Sequence, residues 1–243
     1  MHITSGANDS NESFSREIQR GRARMLIAIV GLAAVLAAPA HAIGEGHEEP
    51  WATPSTCTYD TYRWNVNQRS ATARERVEKP YSQLGPEELD AASGCSVCVE
   101  DQAEIRLEGI VPFRLCRKVA PKVEALLWEL QSHGVAIRSL TGYRVGLTRG
   151  DVDSEGNRTK FSNHSFGIAL DINASANGLY ESCYTVGPGC RLRMGGEWDP
   201  RGNPLSMTAQ HPVVVGMKRI GFRWGGELEG LQKDFMHFSL AGD

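Results

Sequence analysis

Six cysteines, Cys57, Cys95, Cys98, Cys116, Cys183 and Cys190, constrain this 243-residue chain more than any other feature, because all of them follow an apolar leader. Residues 1–24 are polar and carry Arg16, Arg20, Arg22 and Arg24, after which Met25 to Ala38 form an apolar run too short to cross a bilayer comfortably. Ala40-His41-Ala42 then places small residues where a signal peptidase reads. The reading is a secretory signal over residues 1–42, with a mature chain starting at Ile43 in a periplasmic or extracellular compartment. A retained membrane anchor is the alternative, kept open by Asp9, Glu12 and Glu17 in the long leading stretch.

An even cysteine count in an exported chain implies three disulfides. Cys183 and Cys190 enclose Tyr184-Thr185-Val186-Gly187-Pro188-Gly189, whose glycines and proline suit a tight return, so these two are expected to pair. Cys95 and Cys98 are expected to bond with Cys57 and Cys116. The Cys95-x-x-Cys98 spacing also admits a redox dithiol or half a structural zinc site, but no second Cys-x-x-Cys accompanies it.

Without the leader about 200 residues remain, enough for one domain with a sizeable core. Removing four basic and three acidic residues moves the formal charge from −3 to −4, which gives no nucleic-acid footprint. No second run of membrane-spanning length occurs. A monomer without nucleic-acid partner or stable membrane span is expected.

The stretch Ser162-Asn163-His164-Ser165-Phe166-Gly167-Ile168-Ala169-Leu170-Asp171-Ile172 places an imidazole and a carboxylate seven residues apart, two of the three ligands a catalytic zinc needs. Ile168, Leu170 and Ile172 alternate with Ala169 and Asp171, the period of a half-buried strand with Asp171 on the face opposite the apolar one. Gly167, lacking a Cβ, lets the chain bend so that His164 returns toward Asp171. The best candidate for a third ligand is His237, in Lys233-Asp234-Phe235-Met236-His237-Phe238-Ser239, with an acid three residues before it.

Elsewhere, residues 43–94 show little periodicity and are expected to be extended or loosely helical. Ala103 to Cys116 alternates as a sheet start would. A helix is expected from Arg117, with Val119, Val123, Leu126, Leu127 and Leu130 on one face and Gly134 beyond its end. Val135 to Tyr143 should be a strand delivering Arg144. A second helix should begin near Pro212, bury Val213, Val214, Met217 and Ile220, and stop at Gly221. Phe235 to Leu240 should form the last strand. The elements do not alternate as a doubly wound sheet requires, so the fold class is α+β, with helices packed on a small, mostly antiparallel sheet.

Ser-x-His-x-x-Gly-x-Ala-x-Asp, followed far downstream by an acid-x-x-His, resembles the zinc D-Ala-D-Ala peptidases, which include VanX- and VanY-like enzymes and L-alanyl-D-glutamate endolysins. The resemblance spans residues 135 to 240. It includes Thr141-Gly142-Tyr143-Arg144, similar to the family's Tyr-Arg element, and Gly221-Phe222-Arg223-Trp224-Gly225-Gly226, similar to a motif of its VanY-like branch. It implies a D-Ala-D-Ala peptidase/Hedgehog-like fold with the zinc site in a central cleft, and a catalytic domain over residues 95–243 behind an N-terminal extension over 43–94. It further implies Zn2+ held by His164, Asp171 and His237, Asp234 as general base, and Arg144 gripping substrate carboxylate or oxyanion. The implied substrate is a peptidoglycan stem peptide containing D-amino acids.

Each residue also has a plainer role. His133 and His211 read as ordinary hydrogen-bonded histidines, Arg144 as a partner for some surface acid, and Trp224 as either a cleft wall or a core cap. Asn157-Arg158-Thr159 and Asn163-His164-Ser165 fit the glycosylation sequon, the second discounted because a glycan there would cover the metal site. Two other functions remain open: a zinc-stabilised binding module without catalysis, and a metallopeptidase or amidase acting on another substrate.

Overall fold

The computed structural model describes residues 52–241; the leader read over residues 1–42 and the expected start at Ile43 lie outside the described residues. Strands β1 (Thr56–Asn65) and β2 (Ser70–Pro80) form a long antiparallel hairpin. Extended or loosely helical structure was the expectation for residues 43–94; Thr56–Asn65 and Ser70–Pro80 are indeed extended, but paired in an ordered hairpin that the expectation did not include. The physical reason is that β2, Ser-Ala-Thr-Ala-Arg-Glu-Arg-Val-Glu-Lys-Pro, has no buried position, so it carries no apolar alternation to read. Only β1 points inward, through Cys57, Tyr59, Thr61 and Asn65. Buried Glu88 then ties the hairpin down, accepting from Tyr59 and Lys79.

Two short pairs follow: β3 (Leu89–Asp90) with β4 (Cys95–Ser96), and β5 (Gln102–Ile105) with β6 (Phe113–Cys116). The alternation read over Ala103 to Cys116 is therefore two strands, separated by a turn in which Gly109 adopts φ +71°. Helix α1 (Ala120–Ser132) buries Val123, Leu126, Leu127 and Leu130, and Gly134 follows at φ +76°. It starts three residues later than expected, because Arg117 N–H donates to Asp101 and Val119 N–H to Cys116, which holds the entry as a turn.

Of the strand expected over Val135 to Tyr143, only β7 (Leu140–Thr141) joins a ladder. The Asn173 side chain captures the amides of Arg138 and Ser139 at 2.7 and 3.3 Å and donates to the Ala136 carbonyl at 3.0 Å, replacing a strand neighbour. Next come β8 (Leu147–Val152) and β9 (Arg158–Phe161), β10 (Ala169–Ile172), and the pair β11 (Leu179–Glu181) and β12 (Arg191–Met194). Helix α2 (Pro212–Arg219) buries Val213, Val214 and Met217, with His211 capping its start and Gly221 beyond its end at φ +93°. Strands β13 (Arg223–Trp224), β14 (Gln232–Asp234) and β15 (His237–Ser239) complete the order.

The described residues thus combine two helices with sheets of order β2-β1-β8-β9, β13-β15-β10-β7 and β12-β11-β14, besides the two short pairs. This is α+β and almost wholly antiparallel, β1 with β8 being parallel. The single small sheet expected is divided among several. Strand β10 is interior to its sheet and buried at all four positions rather than on one face. Ile168, Leu170 and Ile172 enter the main core beside α1 and α2, and a second cluster of Cys57, Tyr59, Val97, Cys98 and Val145 lies near the hairpin.

Three disulfides form: Cys57 with Cys98, Cys95 with Cys116, and Cys183 with Cys190. Cys95 and Cys98 each bond elsewhere, which removes the redox-dithiol and zinc-site alternatives. If cross-links act by restricting the unfolded chain, the bond spanning 41 residues outweighs the one spanning 7. Replacing Cys57 and Cys98 by alanine should cost roughly 4 kcal/mol in urea unfolding, and replacing Cys183 and Cys190 roughly 2 kcal/mol. Equal losses would contradict this ordering.

Candidate metal centre

His164 lies on a single 3₁₀ turn, Asn163–Phe166, that ends at Gly167 with φ +65°. A side chain at Gly167 would strike the Cys116 amide, 2.4 Å from the ideal Cβ, so both the left-handed backbone and the close approach of β6 require glycine here. Cys116 N–H donates to the Gly167 carbonyl at 2.9 Å, and Arg144 N–H to the His164 carbonyl at 3.2 Å. The turn is held on both sides before any side chain is considered.

The His164 ring is oriented by Gly142, whose carbonyl lies 2.8 Å from Nδ1. A carbonyl only accepts, so Nδ1 carries the proton and the neutral ring presents a lone pair at Nε2. Gly142 can supply that carbonyl because it has no side chain: an added Cβ would lie 2.2 Å from the Arg114 carbonyl.

Register brings in the other two groups. Asp171 pairs with His237 across β10 and β15, and with Thr141 across β7. The result is a triangle of atoms: His164 Nε2 to Asp171 Oδ1 is 3.2 Å, His164 Nε2 to His237 Nδ1 is 3.2 Å, and His237 Nδ1 to Asp171 Oδ1 is 3.0 Å. All three residues are buried, at 3, 8 and 7% exposure for His164, Asp171 and His237. Donor atoms on a tetrahedral ion with bonds of about 2.0–2.1 Å stand about 3.3–3.4 Å apart, so the triangle fits such an ion to within a few tenths of an ångström.

Electrostatics point the same way. Burial pushes the His164 ring below its usual range, against the pull of Asp171, and so favours the neutral form. Burial would raise the Asp171 carboxyl, but His164 and His237 outweigh it and hold the group far below the ordinary carboxylate range. A neutral imidazole nitrogen and a carboxylate oxygen are both acceptors, and two acceptors at 3.2 Å are stable with a cation between them. The second oxygen of Asp171 faces Arg144, with Nη2 at 3.4 Å, so the carboxylate divides its oxygens between the triangle and a guanidinium that stays 38% exposed at the side chain. Arg144 therefore pairs with an acid at the centre itself rather than with a surface one.

Asp234 ends β14, paired with Leu179, and lies three residues before His237. The chain does turn between the two, as strand geometry demands, but Asp234 occupies a strand of another sheet rather than a loop. Gly225 approaches it closely: a Cβ there would fall 2.3 Å from the Asp234 carbonyl. Trp224 is 5% exposed and donates from Nε1 to the Phe235 carbonyl at 2.8 Å, which makes it a core cap and not a cleft wall. Trp198 stacks on Phe235 at 4.2 Å.

Gly142, Gly225 and Trp198 are the positioning residues that reading the chain missed. The two glycines stood inside motifs already singled out, and their lack of a side chain was the usable signal. Trp198 had none, lying in a stretch without periodicity. His133 and His211 take the plain roles expected, His133 bonding to the Glu129 carbonyl and His211 to Val213 N–H. Asn157 and Asn163 are buried, at 6 and 8% exposure, so neither sequon is presented to solvent.

Residues 155–240 match the D-alanyl-D-alanine carboxypeptidase family, in agreement with the resemblance carried by the motifs. That span contains His164, Asp171, Asp234 and His237, while Arg144 precedes it. Neither a curated protein nor a solved structure matches the chain.

The purified chain should hold one divalent ion, measured by elemental analysis, and His164→Ala should lose most of it. Full retention in both His164→Ala and His237→Ala would refute the centre.

Proposed function

We propose that this chain is an exported, zinc-dependent peptidase of the D-alanyl-D-alanine carboxypeptidase family, cutting stem peptides of peptidoglycan that contain D-amino acids. The observation that carries the reading is the buried triangle of His164 Nε2, Asp171 Oδ1 and His237 Nδ1, whose sides of 3.0–3.2 Å suit zinc. Three protein ligands leave a fourth position free, as catalytic rather than structural zinc sites do. Three disulfides suit an oxidising compartment, where the polymer lies, and no helix among the described residues is long and apolar enough to cross a membrane.

When bound, zinc supplies an acidified water and a Lewis acid for the scissile carbonyl. The chain does the rest. His164 and His237 act as neutral ligands, the first fixed in its tautomer by the Gly142 carbonyl. Asp171 contributes one oxygen and is kept from turning by Arg144 at the other. Asp234 takes the proton of the attacking water and returns it to the leaving amine. Arg144, with donors to spare beyond its bond to Asp171, steadies the developing oxyanion or grips a substrate carboxylate.

Incubation with purified muropeptides, followed by mass spectrometry, tests the reading: loss of a terminal D-residue or scission within the stem is expected, and intact muropeptides with zinc bound would refute it. Asp234→Asn should keep fold and zinc yet lose about a hundred- to ten-thousand-fold in rate, whereas Asp234→Glu should retain part of it. Gly225→Ala, which presses a methyl group on the Asp234 carbonyl, should lower turnover while zinc content stays at one per chain. Wild-type turnover in Asp234→Asn would place the base elsewhere.

A further inference from the structure

On β7, the strand paired with the Asp171 strand, lies one wall of a cleft of about 450 Å³ whose other wall is the β5–β6 hairpin; its lining includes none of His164, Asp171 and His237. Phe113 and Leu140 give it an apolar lining, Thr141 and Gly142 a backbone wall, and Glu104 and Arg114 a charged side. Its wall belongs to the same strand that serves the centre: Thr141 is the register partner of Asp171, and the Gly142 carbonyl holds His164. β7 is the last strand of its sheet; β6 meets its continuation at Gly142 and Tyr143, and only Leu140 and Thr141 have no strand beside them on the outer side in that sheet.

The charged side is composed unevenly. Glu104 and Arg114 face each other across the β5–β6 ladder, with Nη2 and Oε2 3.7 Å apart and both side chains partly exposed. Arg106 bonds to the other oxygen of Glu104. One carboxylate thus stands among two guanidiniums, and the group as a whole is a single positive charge. A lone ammonium gains Glu104 but meets two cations. A side chain ending in both an ammonium and a carboxylate satisfies Glu104 and Arg114 together, the second through the planar fork of the guanidinium.

We propose that this cleft is a subsite for a stem-peptide residue whose side chain carries both an ammonium and a carboxylate, a 2,6-diamino-dicarboxylic acid, in preference to lysine. The proposal rests on the peptidase reading above for the nature of the ligand. Arg114 is a clean handle, because Tyr143 N–H bonds to its backbone carbonyl, which a side-chain change leaves in place. An ion pair this exposed contributes little to stability.

The test uses the zinc-loaded full chain carrying Asp234→Asn, so that peptide is bound without turnover. Calorimetry compares two stem peptides identical except that one has the diamino-dicarboxylic residue and the other lysine. The first should bind about tenfold more tightly, the worth of one charge-assisted hydrogen bond, and Arg114→Gln should erase the difference while zinc content and circular dichroism stay unchanged. Equal affinities, a preference that survives Arg114→Gln, or binding of neither peptide would overturn the subsite. Hydrolysis of both peptides by the wild-type chain without preference would sink the subsite alone. A preference in binding with no hydrolysis by the wild-type chain would leave the subsite standing and sink the peptidase.

Discussion

The grip of strand Phe113–Cys116 on two neighbouring turns is the constraint from which the rest of the site follows. Its Arg114 carbonyl accepts from Tyr143, and its Cys116 amide donates to Gly167, at 2.7 and 2.9 Å. Both contacts are backbone to backbone, and both occupy space that a Cβ would fill at Gly142 and Gly167. His164 depends on each turn, on one for the carbonyl that orients its ring and on the other for the bend that aims it. Cys116 is in turn bonded to Cys95, so the strand doing the holding is itself held.

This arrangement explains how three costly groups can be buried together. Burying a carboxylate and two imidazoles without partners would be expensive. Asp171 meets that cost by giving one oxygen to the imidazoles and the other to Arg144, which retains access to water. The hydrophobic residues of β10 face the main core, while Asp171 faces the polar cluster, so one short strand joins the interior to the chemistry.

The closeness of His164 and Asp171 was legible in the chain because it is local. Seven residues link His164 to Asp171 through one glycine bend, and the alternation of Ile168, Leu170 and Ile172 marks the strand between them. The helices were legible for the same reason, with Gly134 and Gly221 at their ends. What was not legible is whatever depends on side chains or strands far away. Strand β2 reads as polar chain because its backbone ladder, not its side chains, places it. The strand expected over Val135 to Tyr143 shrank to two residues because Asn173, some 35 positions distant, takes its amides. Neither face of β10 is open to solvent because Leu170 and Ile172 pack into the main core while Asp171 is covered by His164 and His237, which no pattern within four residues reveals.

Strand β15, the last of the described chain, does not sit at an edge: it lies between β10 and β13 in the middle of its sheet. His237 therefore reaches Asp171 from 66 residues further along. A chain emerging from its amino end carries Arg144, His164 and Asp171 long before the strand that completes the sheet and the triangle. Until that strand pairs, His164 and Asp171 lack the third member of the triangle and β10 lacks its neighbour on that side. A truncation that removes β15 would take away His237 and a central strand together, and so would act on the whole assembly rather than as a graded wound at its margin.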